Sequence, residues 1–450
     1  MLLRLPWLLS RKRLLTAVAL DFCLLYLVYF FSIYFSTSFW PPGQFITFLS
    51  LLLWVLSSYV IGRYQISKPS FVVHLFTNIF SSLFCLLLLL SSQALFLWSF
   101  SLFYPVSPLP YKSFPPFLLY AFLSSILQFL LAFLFSYVAK RNSNWLCFVP
   151  QKVIDKLNTN LEWCRLSASL IKIDDIVSVK DIAYYHNYAG LLIYSFHDLP
   201  LSTQEYILFL KNNGIPVLSI NSWCEQVLQR FPPDLLSVAD LLCWESSFAK
   251  GTIELRLKRL GDVLFSFLLL VSSFPFLLLV GFLIFLQDGG PVFYSQLRSG
   301  LNGSTFRIYK FRTMKVNSEE NGAQWVNSSD SRITRIGHFL RLTRIDELPQ
   351  LWSVLVGEMS LIGPRPERPE FDSFLSGSIP HYNLRYLMRP GLSGWAQVNY
   401  PYGASVLDST NKLSYDIYYI RNFSFWLDFL IFFKTIRLVF RAKGAIPRPV

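Results

Sequence analysis

The sequence predicts a membrane protein in three parts: a four-helix transmembrane N-terminal part, a small Rossmann-like α/β domain and a C-terminal α-rich domain. The last part is expected to hold a re-entrant membrane helix-hairpin and interfacial amphipathic helices. The chain of 450 residues is 53% hydrophobic and only 15% charged, which is too apolar for a soluble protein of this size. Long apolar runs come first, and short apolar runs then alternate with helix-like stretches.

The charge balance indicates what the protein binds. Its formal net charge is +13, which in a membrane protein is typical of cytoplasmic flanks and of anionic lipid or phosphate-bearing ligands. No nucleic-acid-binding motif is visible, so nucleic acid is not expected as a partner. The six cysteines show no paired metal spacing and are interpreted as free thiols of a reducing compartment.

Residues 1–141 are predicted to form four transmembrane helices, because they contain four apolar runs long enough to cross a bilayer. The runs are residues 14–35, 44–62, 71–103 and 114–139. Lys and Arg precede the first run and follow the second and fourth, so the N-terminus and the chain after residue 140 are expected to be cytoplasmic. Asp21 lies inside the first run. It is interpreted as paired with a nearby Lys or Arg, and a functional role is the alternative.

Residues 142–250 are predicted to form a degenerate Rossmann-like domain. The runs "LLIYSF" and "IPVLSI" are typical of buried strands, and "STQEYILFLKNNG" is typical of a helix. A bound dinucleotide would need a Gly-rich first turn, but the turn of the first candidate strand, "WLCFVPQKVIDKL", carries Pro150 instead. A structural or regulatory role is therefore predicted for this domain.

Residues 251–450 are predicted to begin with a membrane hairpin at 259–287. The apolar stretch 263–286 has Pro275 near its centre and basic residues at both ends. Proline breaks or kinks a helix, and two positive flanks suit one cytoplasmic side. Two legs of about twelve residues would dip into the membrane and return. The alternative is a proline-kinked fifth span, which would place residues 288–450 outside.

The stretch "RLTRIDELPQ" (341–350) places two adjacent carboxylates, Asp346 and Glu347, behind a run of basic residues. A solvated surface helix is one interpretation of these ten residues taken alone. Pro349 is typical of the first turn of a helix, so "PQLWSVLVG" is predicted to be a helix that ends near Gly357. The acidic pair would lie at its N-terminal end, where the helix dipole favours a carboxylate and a bound phosphate.

Five motifs occur in order in the last part of the chain. They are "KRLGD", "GPVFYSQLRSGLNG", "YKFRTM", "DELPQLWSVLVGEMSLIGPRP" and "RPGLSGWAQVN". Through them, residues 258–445 resemble the catalytic domain of the bacterial sugar transferases, also called polyprenyl-phosphate hexose-1-phosphate transferases or monotopic phosphoglycosyl transferases. In layout, the chain resembles the long members that initiate exopolysaccharide or O-antigen repeats. The segment "NYPYGAS…KLSYDIYYI" is most similar to the exopolysaccharide branch.

The resemblance implies a reaction. Such enzymes move a hexose-1-phosphate from a UDP-sugar to undecaprenyl phosphate and release UMP, with Mg²⁺ as cofactor. It assigns Asp346 as the nucleophile that forms a covalent phosphosugar intermediate, and Glu347 as a magnesium ligand. It also assigns contacts with substrate phosphate to four basic residues: Lys310, Arg312, Arg341 and Arg365.

The resemblance makes two further assignments. The hairpin break falls on Ser273 and Pro275, with Phe274 between them where an adjacent Ser-Pro pair is common in the family. Trp395 and Gln397 of "GWAQVN" are candidates for the uracil or sugar pocket, and a structural role is the alternative for the tryptophan.

The chemistry of these residue types agrees with the assigned roles. The donor diphosphate and the acceptor phosphate are both negatively charged, so an anionic nucleophile can approach phosphorus only if that charge is neutralised. Basic residues and a metal would neutralise it, and Mg²⁺ needs only one or two protein carboxylates.

Other charged residues carry less information. His338, Glu367 and Glu370 are interpreted as solvated surface residues, with a site role for the two acids as the alternative, and His381 is a candidate for a phosphate contact. Residues 424–440 combine a broad apolar face with three charges, which is typical of a helix in the membrane interface.

The expected partners are a UDP-hexose, undecaprenyl phosphate and membrane lipid, with glucose and galactose as the candidate hexoses. A homo-oligomer and polysaccharide assembly proteins are further candidate partners. The expected location is the bacterial inner (plasma) membrane, as a multi-pass protein with its catalytic domain on the cytoplasmic face. If residues 1–245 only anchor and organise, residues 250–450 alone are expected to keep activity.

Two functions from other classes are alternatives. A nucleotide-sugar dehydratase would need a Gly-rich NAD turn, which the sequence does not show. A non-catalytic membrane scaffold of a polysaccharide assembly complex is disfavoured by the intact acidic and basic motifs, and only an assay decides against it.

Overall fold

The computed structural model describes the chain in segments. The described residues are 12–35, 44–61, 63–64, 80–87, 114–141, 144–242 without 165, 167, 177–183, 186, 195 and 197–198, then 253–316, 330, and 332–440 without 401, 402 and 404. The chain forms two compact units. The N-terminal unit comprises residues 1–147, 167–191 and 205–216, and the C-terminal unit comprises 148–166, 192–204 and 217–450.

Three long helices form the start of the N-terminal unit: α1 (Lys12–Phe35), α2 (Gln44–Ile61) and α3 (Phe114–Arg141). They coincide with the first, second and fourth predicted transmembrane runs, so the helical part of that prediction is confirmed. Within the third predicted run, residues 80–87 are helical, and the rest lies outside the described residues. That these helices cross a membrane stays a prediction.

A buried ion pair lies inside this helical unit. The side chains of Asp21 and Arg63 are fully buried and 3.4 Å apart. Tyr64 donates a hydrogen bond to the same carboxylate at 2.8 Å, and Ser124 donates to its other oxygen. A buried charge is tolerated when it is paired and hydrogen-bonded in this way. The predicted pairing of Asp21 with a basic residue is confirmed.

A four-stranded sheet with flanking helices follows. Its elements are β1 (Asn144–Phe148), α4 (Gln151–Cys164), β2 (Ser169–Lys172), β3 (Gly190–Ile193), α5 (Leu201–Asn212) and β4 (Val217–Ser219). The strand order is β2-β1-β3-β4, and β1 pairs with β2 in parallel. The predicted strands in "LLIYSF" and "IPVLSI" and the predicted helix between them are confirmed, while the Rossmann-like classification stays a prediction.

Short helical turns follow the sheet and belong to the C-terminal unit. They are α6 (Ile220–Trp223), a π-helical turn (Cys224–Leu228), a 3₁₀ turn (Pro233–Leu235) and α7 (Val238–Leu242). The five described cysteines, which exclude Cys243, are free.

The predicted membrane hairpin is one helix, α8 (Ile253–Asp288), with Pro275 inside it. The prediction of two separate legs is therefore wrong: the backbone stays helical through the proline. The hydroxyl of Ser273 donates to the Leu269 carbonyl at 2.6 Å, next to the region where proline removes a backbone hydrogen bond. Only 11% of the most apolar stretch of α8 is buried. Among the described residues, α8 is the one helix long and apolar enough to cross a membrane.

Although α8 is continuous, its two ends contact the same unit. Arg259 donates to the carbonyls of Val354 and Leu355, and Ile284 belongs to a buried cluster against which Ile345 packs. Arg259 and Ile284, near opposite ends of α8, thus both anchor the helix to the C-terminal unit.

The rest of the C-terminal unit consists of short elements. The strands are β5 (Phe293–Ser299), β6 (Thr305–Phe311), β7 (Ser360–Ile362) and β8 (Gly391–Ser393). The helices are α9 (Arg335–Thr343), α10 (Leu351–Val356), α11 (Pro369–Ser378), α12 (Trp395–Asn399), α13 (Val406–Arg421) and α14 (Phe425–Phe440). The 3₁₀ segments are Leu301–Gly303, Ile345–Gln350 and Tyr382–Leu387. β5 and β6 form an antiparallel hairpin, and β7 pairs in parallel with β8.

Helix α14 matches the predicted interfacial helix at 424–440. Leu427 and Ile431 are buried against the unit, while Phe425, Trp426 and Phe429 are exposed. The helix is confirmed, and its location in the membrane interface stays a prediction.

Candidate active site

The acidic pair lies at the start of a short helical segment. Helix α9 ends at Arg344, which adopts a left-handed conformation with φ of 60°, and the 3₁₀ turn then carries Asp346 and Glu347. The segment continues into α10 and ends at Gly357, whose φ of 102° favours glycine. The predicted end at Gly357 is confirmed. The helical segment begins four residues before Pro349, earlier than predicted.

Three cations surround the Glu347 carboxylate. Its Oε1 lies 3.0 Å from Lys310 Nζ and 2.6 Å from Arg365 Nη2, and its Oε2 lies 3.3 Å from Arg344 Nη1. Burial alone would raise the pKa of Glu347. The charges of Arg365, Lys310 and Arg344 outweigh burial and hold this pKa well below its usual range.

Asp346 has the opposite environment, although it is buried to a similar degree. Its Oδ1 atom has no hydrogen-bond partner among the described residues. Burial, followed by the charge of Glu347, raises the pKa of Asp346 to about 6, against the opposing charges of Lys310, Arg341 and Arg344. At neutral pH this carboxylate is mostly ionised but poorly solvated, which are the properties of an activated nucleophile.

Close packing places Arg341 beside this site. Gly337 on α9 lies so near the Thr313 carbonyl that a Cβ atom at position 337 would clash with it. The same residue, Thr313, accepts a hydrogen bond from Arg341 Nε at 2.8 Å. Thr313 lies three residues after Lys310, just beyond the end of β6. The close approach of Gly337 to Thr313 therefore brings helix α9 against the strand that carries Lys310.

Arg365 connects Glu347 to helix α12, which follows β8. Its Nη1 donates to Gln397 Oε1 at 3.2 Å, while its Nη2 contacts Glu347. The amide nitrogen of Gln397 is buried and has no hydrogen-bond partner among the described residues, so it is available to a ligand. From behind, Arg385 donates to the Arg365 carbonyl at 2.7 Å and pairs with Asp416.

The structure brings together Asp346, Glu347, Lys310, Arg341, Arg365 and Gln397, as the sequence predicted. Arg312 is buried after β6, with its guanidinium against Gly290. Ser273 and Pro275 lie within α8, away from this cluster of residues in the sequence, and their assignment as the hairpin break stays a prediction.

Three sequence interpretations need correction. Trp395 is 1% exposed, stacks on Tyr418 and so belongs to the core rather than to a ligand pocket. The ring nitrogen Nε2 of His381 contacts the Leu236 carbonyl at 3.1 Å, which accounts for this histidine without a phosphate. Glu367 pairs with Arg298 at 3.4 Å and is not a freely solvated acid.

Two site residues were missed from the sequence. Arg344 contacts Glu347, and its spacing of three residues along one helical segment could have identified it. Arg385 supports Arg365 across twenty residues of sequence, and no local pattern indicates that contact.

The carboxylates fit a magnesium ion that is also held by substrate. Among the described residues, no group of three or more His, Cys, Asp or Glu side chains could hold a metal by itself. Mg²⁺ commonly keeps several waters and binds one or two carboxylates together with substrate phosphates. The adjacent carboxylates of Asp346 and Glu347, with a buried oxygen that has no described partner, supply such a donor set.

The acidic pair and its basic neighbours are also connected to the long apolar helix α8. Arg259 of α8 donates to the last carbonyls of α10, the helix that continues from the acidic pair. Val280 and Ile284, near the other end of α8, form a buried cluster with Phe311 and Leu340. Phe311 directly follows Lys310 and Leu340 directly precedes Arg341, so α8 packs against segments on both sides of the candidate site.

The structure thus combines one long, exposed apolar helix with a buried acidic pair that is surrounded by cations. A family model described as bacterial sugar transferase matches residues 253–442. The chain belongs to the bacterial sugar transferase family.

The similar proteins carry related names. The chain is 44% identical over 231 residues to a UDP-N-acetylgalactosamine-undecaprenyl-phosphate N-acetylgalactosaminephosphotransferase of Aeromonas hydrophila, covering 51% of this chain and 54% of that relative. It is 41% identical to a UDP-glucose:undecaprenyl-phosphate glucose-1-phosphate transferase of Caulobacter vibrioides, covering 41% and 69%. It is 37% identical to a UDP-galactose-lipid carrier transferase of Erwinia amylovora, covering 42% and 41%. The chain spans about half the length of the first of these relatives.

Proposed function

We propose that the protein transfers a sugar-1-phosphate from a UDP-sugar to undecaprenyl phosphate and releases UMP, as the first step of building an exopolysaccharide or O-antigen repeat. The observation that carries the proposal is the pairing of opposite environments in adjacent residues. Asp346 presents a buried oxygen with no described partner, while Glu347 gathers Lys310, Arg344 and Arg365 around it. The names of the relatives support the reaction class and the two substrates.

The chemistry proceeds in two displacements at one phosphorus atom. A carboxylate oxygen of Asp346 attacks the phosphorus that bears the sugar, the bond from this phosphorus to the bridging oxygen breaks, and UMP leaves. The enzyme then holds an acyl phosphate, the aspartyl-phosphosugar. A phosphate oxygen of the lipid acceptor attacks the same phosphorus, and the Asp346 carboxylate leaves. Splitting one transfer into two steps in this way gives ping-pong kinetics.

The cations have roles in both steps. Lys310, Arg341, Arg344 and Arg365 offset the charge of the diphosphate, which would otherwise repel the approaching carboxylate. Glu347, with substrate phosphate and water, would hold Mg²⁺, which when bound neutralises charge that develops on the leaving phosphate. Gln397 would contact the donor through its available amide nitrogen.

The proposed acceptor, undecaprenyl phosphate, is a lipid. The contacts between the candidate site and the apolar helix α8 support a lipid acceptor. Helix α8 exposes a continuous apolar surface and contacts the segments on both sides of the acidic pair. We infer that α8 enters and leaves the membrane on the cytoplasmic side of the inner membrane, which would keep Asp346 near the lipid phosphate. The basic residues at both of its ends favour this topology over a fifth span.

A donor panel tests the proposal. Purified full-length protein in detergent would be incubated with undecaprenyl phosphate, Mg²⁺ and UDP-glucose, UDP-galactose or UDP-N-acetylgalactosamine. The last donor is included because one relative is named for it. UMP with a sugar-diphosphate lipid is the expected product pair. Release of UDP would indicate simple glycosyl transfer, and no release with any donor from folded protein would favour a non-catalytic scaffold.

A further inference from the structure

A segment outside the matched family region contacts the core of the candidate site. Residues 229–231 follow the π-helical turn after the sheet, whereas the family match begins at residue 253. Gln229 adopts a left-handed conformation with φ of 54°, and its carbonyl accepts a hydrogen bond from Trp395 Nε1 at 3.0 Å. The backbone nitrogen of Phe231 donates to the Ser414 carbonyl at 2.9 Å.

Arg230, between these two residues, ties two helices together. It is 1% exposed; one guanidinium nitrogen donates to Asn411 of α13 at 3.0 Å, and the other donates to Asn160 of α4. Its guanidinium carbon also lies 5.4 Å from the ring centroid of Tyr415. No carboxylate forms an ion pair with Arg230 in the described part of the chain. Burying a cation among neutral groups alone costs desolvation free energy. We therefore attribute the role of Arg230 to the positions in which its hydrogen bonds hold α4 and α13.

A chain of hydrogen bonds leads from this segment to the acidic pair. Trp395 and Gln397 lie on the same five-residue helix, α12. Gln397 Oε1 accepts from Arg365, and Arg365 in turn contacts Glu347. The carbonyl of Gln229 therefore holds the start of a helix whose third residue aims Arg365 at Glu347.

We propose that residues 229–231 are positioning residues for the candidate active site: they hold α12, and through Gln397 and Arg365 they orient Glu347. This gives the linker after the α/β sheet a role in the reaction, beyond anchoring or organisation. The inference rests on the proposed function for its kinetic consequence, and on the contacts alone for its structural consequence.

The kinetic test uses the full-length protein. Trp395→Phe removes the indole N–H that the Gln229 carbonyl accepts and keeps an aromatic ring against Tyr418, although a smaller one. We expect kcat/KM for the UDP-sugar to fall about threefold to tenfold, the size of one neutral hydrogen bond. The Mg²⁺ concentration for half-maximal rate should rise, because Glu347 is less well oriented. A merely structural role would lower the amount of active enzyme without shifting that concentration.

A double-mutant cycle tests the connection. Gln397→Ala removes the contact between α12 and Arg365, which is the next step of the same series of hydrogen bonds. The double variant Trp395→Phe/Gln397→Ala should therefore have nearly the same kcat/KM as Gln397→Ala alone. Lys156→Ala is the matched control, because Lys156 forms an exposed pair with Asp234 in the same region, 4.0 Å apart, and should leave the kinetics unchanged. Effects that simply multiply, or a Trp395→Phe enzyme with wild-type kinetics and Mg²⁺ dependence, would overturn the proposal.

A second measurement does not depend on activity. Hydrogen–deuterium exchange of the full-length protein without substrate should show faster exchange in residues 391–400 for Trp395→Phe and for Arg230→Met, and no change for Lys156→Ala. Unchanged exchange in that peptide for both variants would refute the positioning role even if the enzyme is active. Faster exchange in a protein that releases no UMP would support the positioning contact and refute the proposed function instead.

Discussion

Asp346 and Glu347 are sequence neighbours with almost equal exposure, 8% and 7%, yet their pKa values shift in opposite directions. The difference arises from contacts. Glu347 has three cations within 3.3 Å, whereas no hydrogen bond among the described residues reaches Asp346 Oδ1. Two chemically similar residues thus have opposite environments, which is the arrangement that the proposed nucleophile and the proposed metal ligand require.

Asp346→Asn should abolish transfer and stabilise the fold. Activity should fall on the order of a thousandfold or more, as removal of a nucleophile usually causes. The folded-state pKa of Asp346 is raised from 3.8 to about 6, so the folded protein binds this proton more tightly than the unfolded chain does. That contribution to stability is present below about pH 4 and is lost as the pH rises through 6. Asparagine stays neutral, so the variant should be more stable at pH 7 by at most about 3 kcal/mol.

Denaturant unfolding at pH 7 and near pH 4 measures this effect, and the gain should disappear at the lower pH. Glu347→Gln is the matched control with the opposite sign. The pKa of Glu347 is depressed, so its charge stabilises the fold above its unfolded pKa, and its removal should destabilise the protein at pH 7. A destabilised Asp346→Asn protein would contradict the environment described for Asp346.

The first half-reaction should depend on pH through Asp346. With UDP-sugar alone, the burst of UMP and the hexose-phosphate mass on the peptide containing Asp346 should grow as the pH rises from 5 to 7, with an apparent pKa near 6. The donor diphosphate does not titrate in this range, so the profile reports the enzyme. A mapped adduct on another residue would show that Asp346 is not the nucleophile.

Arg341→Ala should move this profile upwards. The Arg341 charge lowers the pKa of Asp346, so its removal leaves burial and Glu347 less opposed. Arg335, exposed on the same helix, is the control, and Arg335→Ala should leave the profile in place. A downward shift in Arg341→Ala, or equal shifts in both variants, would mean that Asp346 does not set the profile.

At this scale the sequence predicts residue types better than environments. The motifs single out Asp346, Glu347 and most of their basic neighbours, and the structure places these residues together. Their catalytic roles stay predictions. The motifs misplace Trp395, since an aromatic in a Gly-flanked loop suits a pocket and a core equally well. Burial and the contact with the Gln229 carbonyl decide between the two, and both depend on residues 166 positions apart.

The elements follow the sequence closely where local chemistry decides them. A glycine predicts the end of one helix at Gly357, where the structure has a left-handed conformation. An apolar face predicts the helix Phe425–Phe440. Helix α8 is different. Its proline predicts a break in the helix, but whether the backbone stays helical depends on tertiary contacts as well. The backbone stays helical, and both ends of the helix contact the C-terminal unit.

Cysteine labelling tests the topology of α8. In a background with the six native cysteines replaced by serine, single cysteines at Glu254 and Ser304 lie at exposed positions on either side of the helix. Both should react with a membrane-impermeant maleimide only from the cytoplasmic side. Reaction from opposite sides would establish a fifth span and reject re-entry.

Pro275→Ala should restore the missing backbone hydrogen bond and favour a straight helix. The proposed re-entry of α8 needs a kink in the membrane, and proline is the residue that favours one, so less folded protein should reach the membrane. Phe274→Ala, which changes an exposed neighbour of the proline, is the control for lost side-chain volume. Normal yield and activity of Pro275→Ala would show that re-entry does not depend on the proline.

At the scale of the whole molecule, the units do not coincide with the boundaries suggested by composition. The sequence changes character near residue 250, where the sheet-like rhythm ends and the basic, apolar hairpin begins. The compact C-terminal unit nevertheless includes residues 217–242 and helix α4. Hydrophobic periodicity in the sequence cannot predict that these residues belong to the C-terminal unit. Their contacts with it are long-range, as in the hydrogen bond from Arg230 to Asn411.

These contacts change the expectation for a truncated protein. Residues 250–450 alone would lose the Gln229 carbonyl that Trp395 needs and the Phe231 ring that packs near Tyr418 at 6.0 Å. An unpartnered buried N–H and a lost aromatic contact are each destabilising, so the truncation should be both less stable and less active than residues 144–450. Residues 144–450 should bind membranes through α8 and α14 and keep most of the full-length activity. Thermal unfolding and UMP release in the same detergent compare the two, and equal stability and activity would mean that residues 144–249 serve only to connect the site to the N-terminal helices.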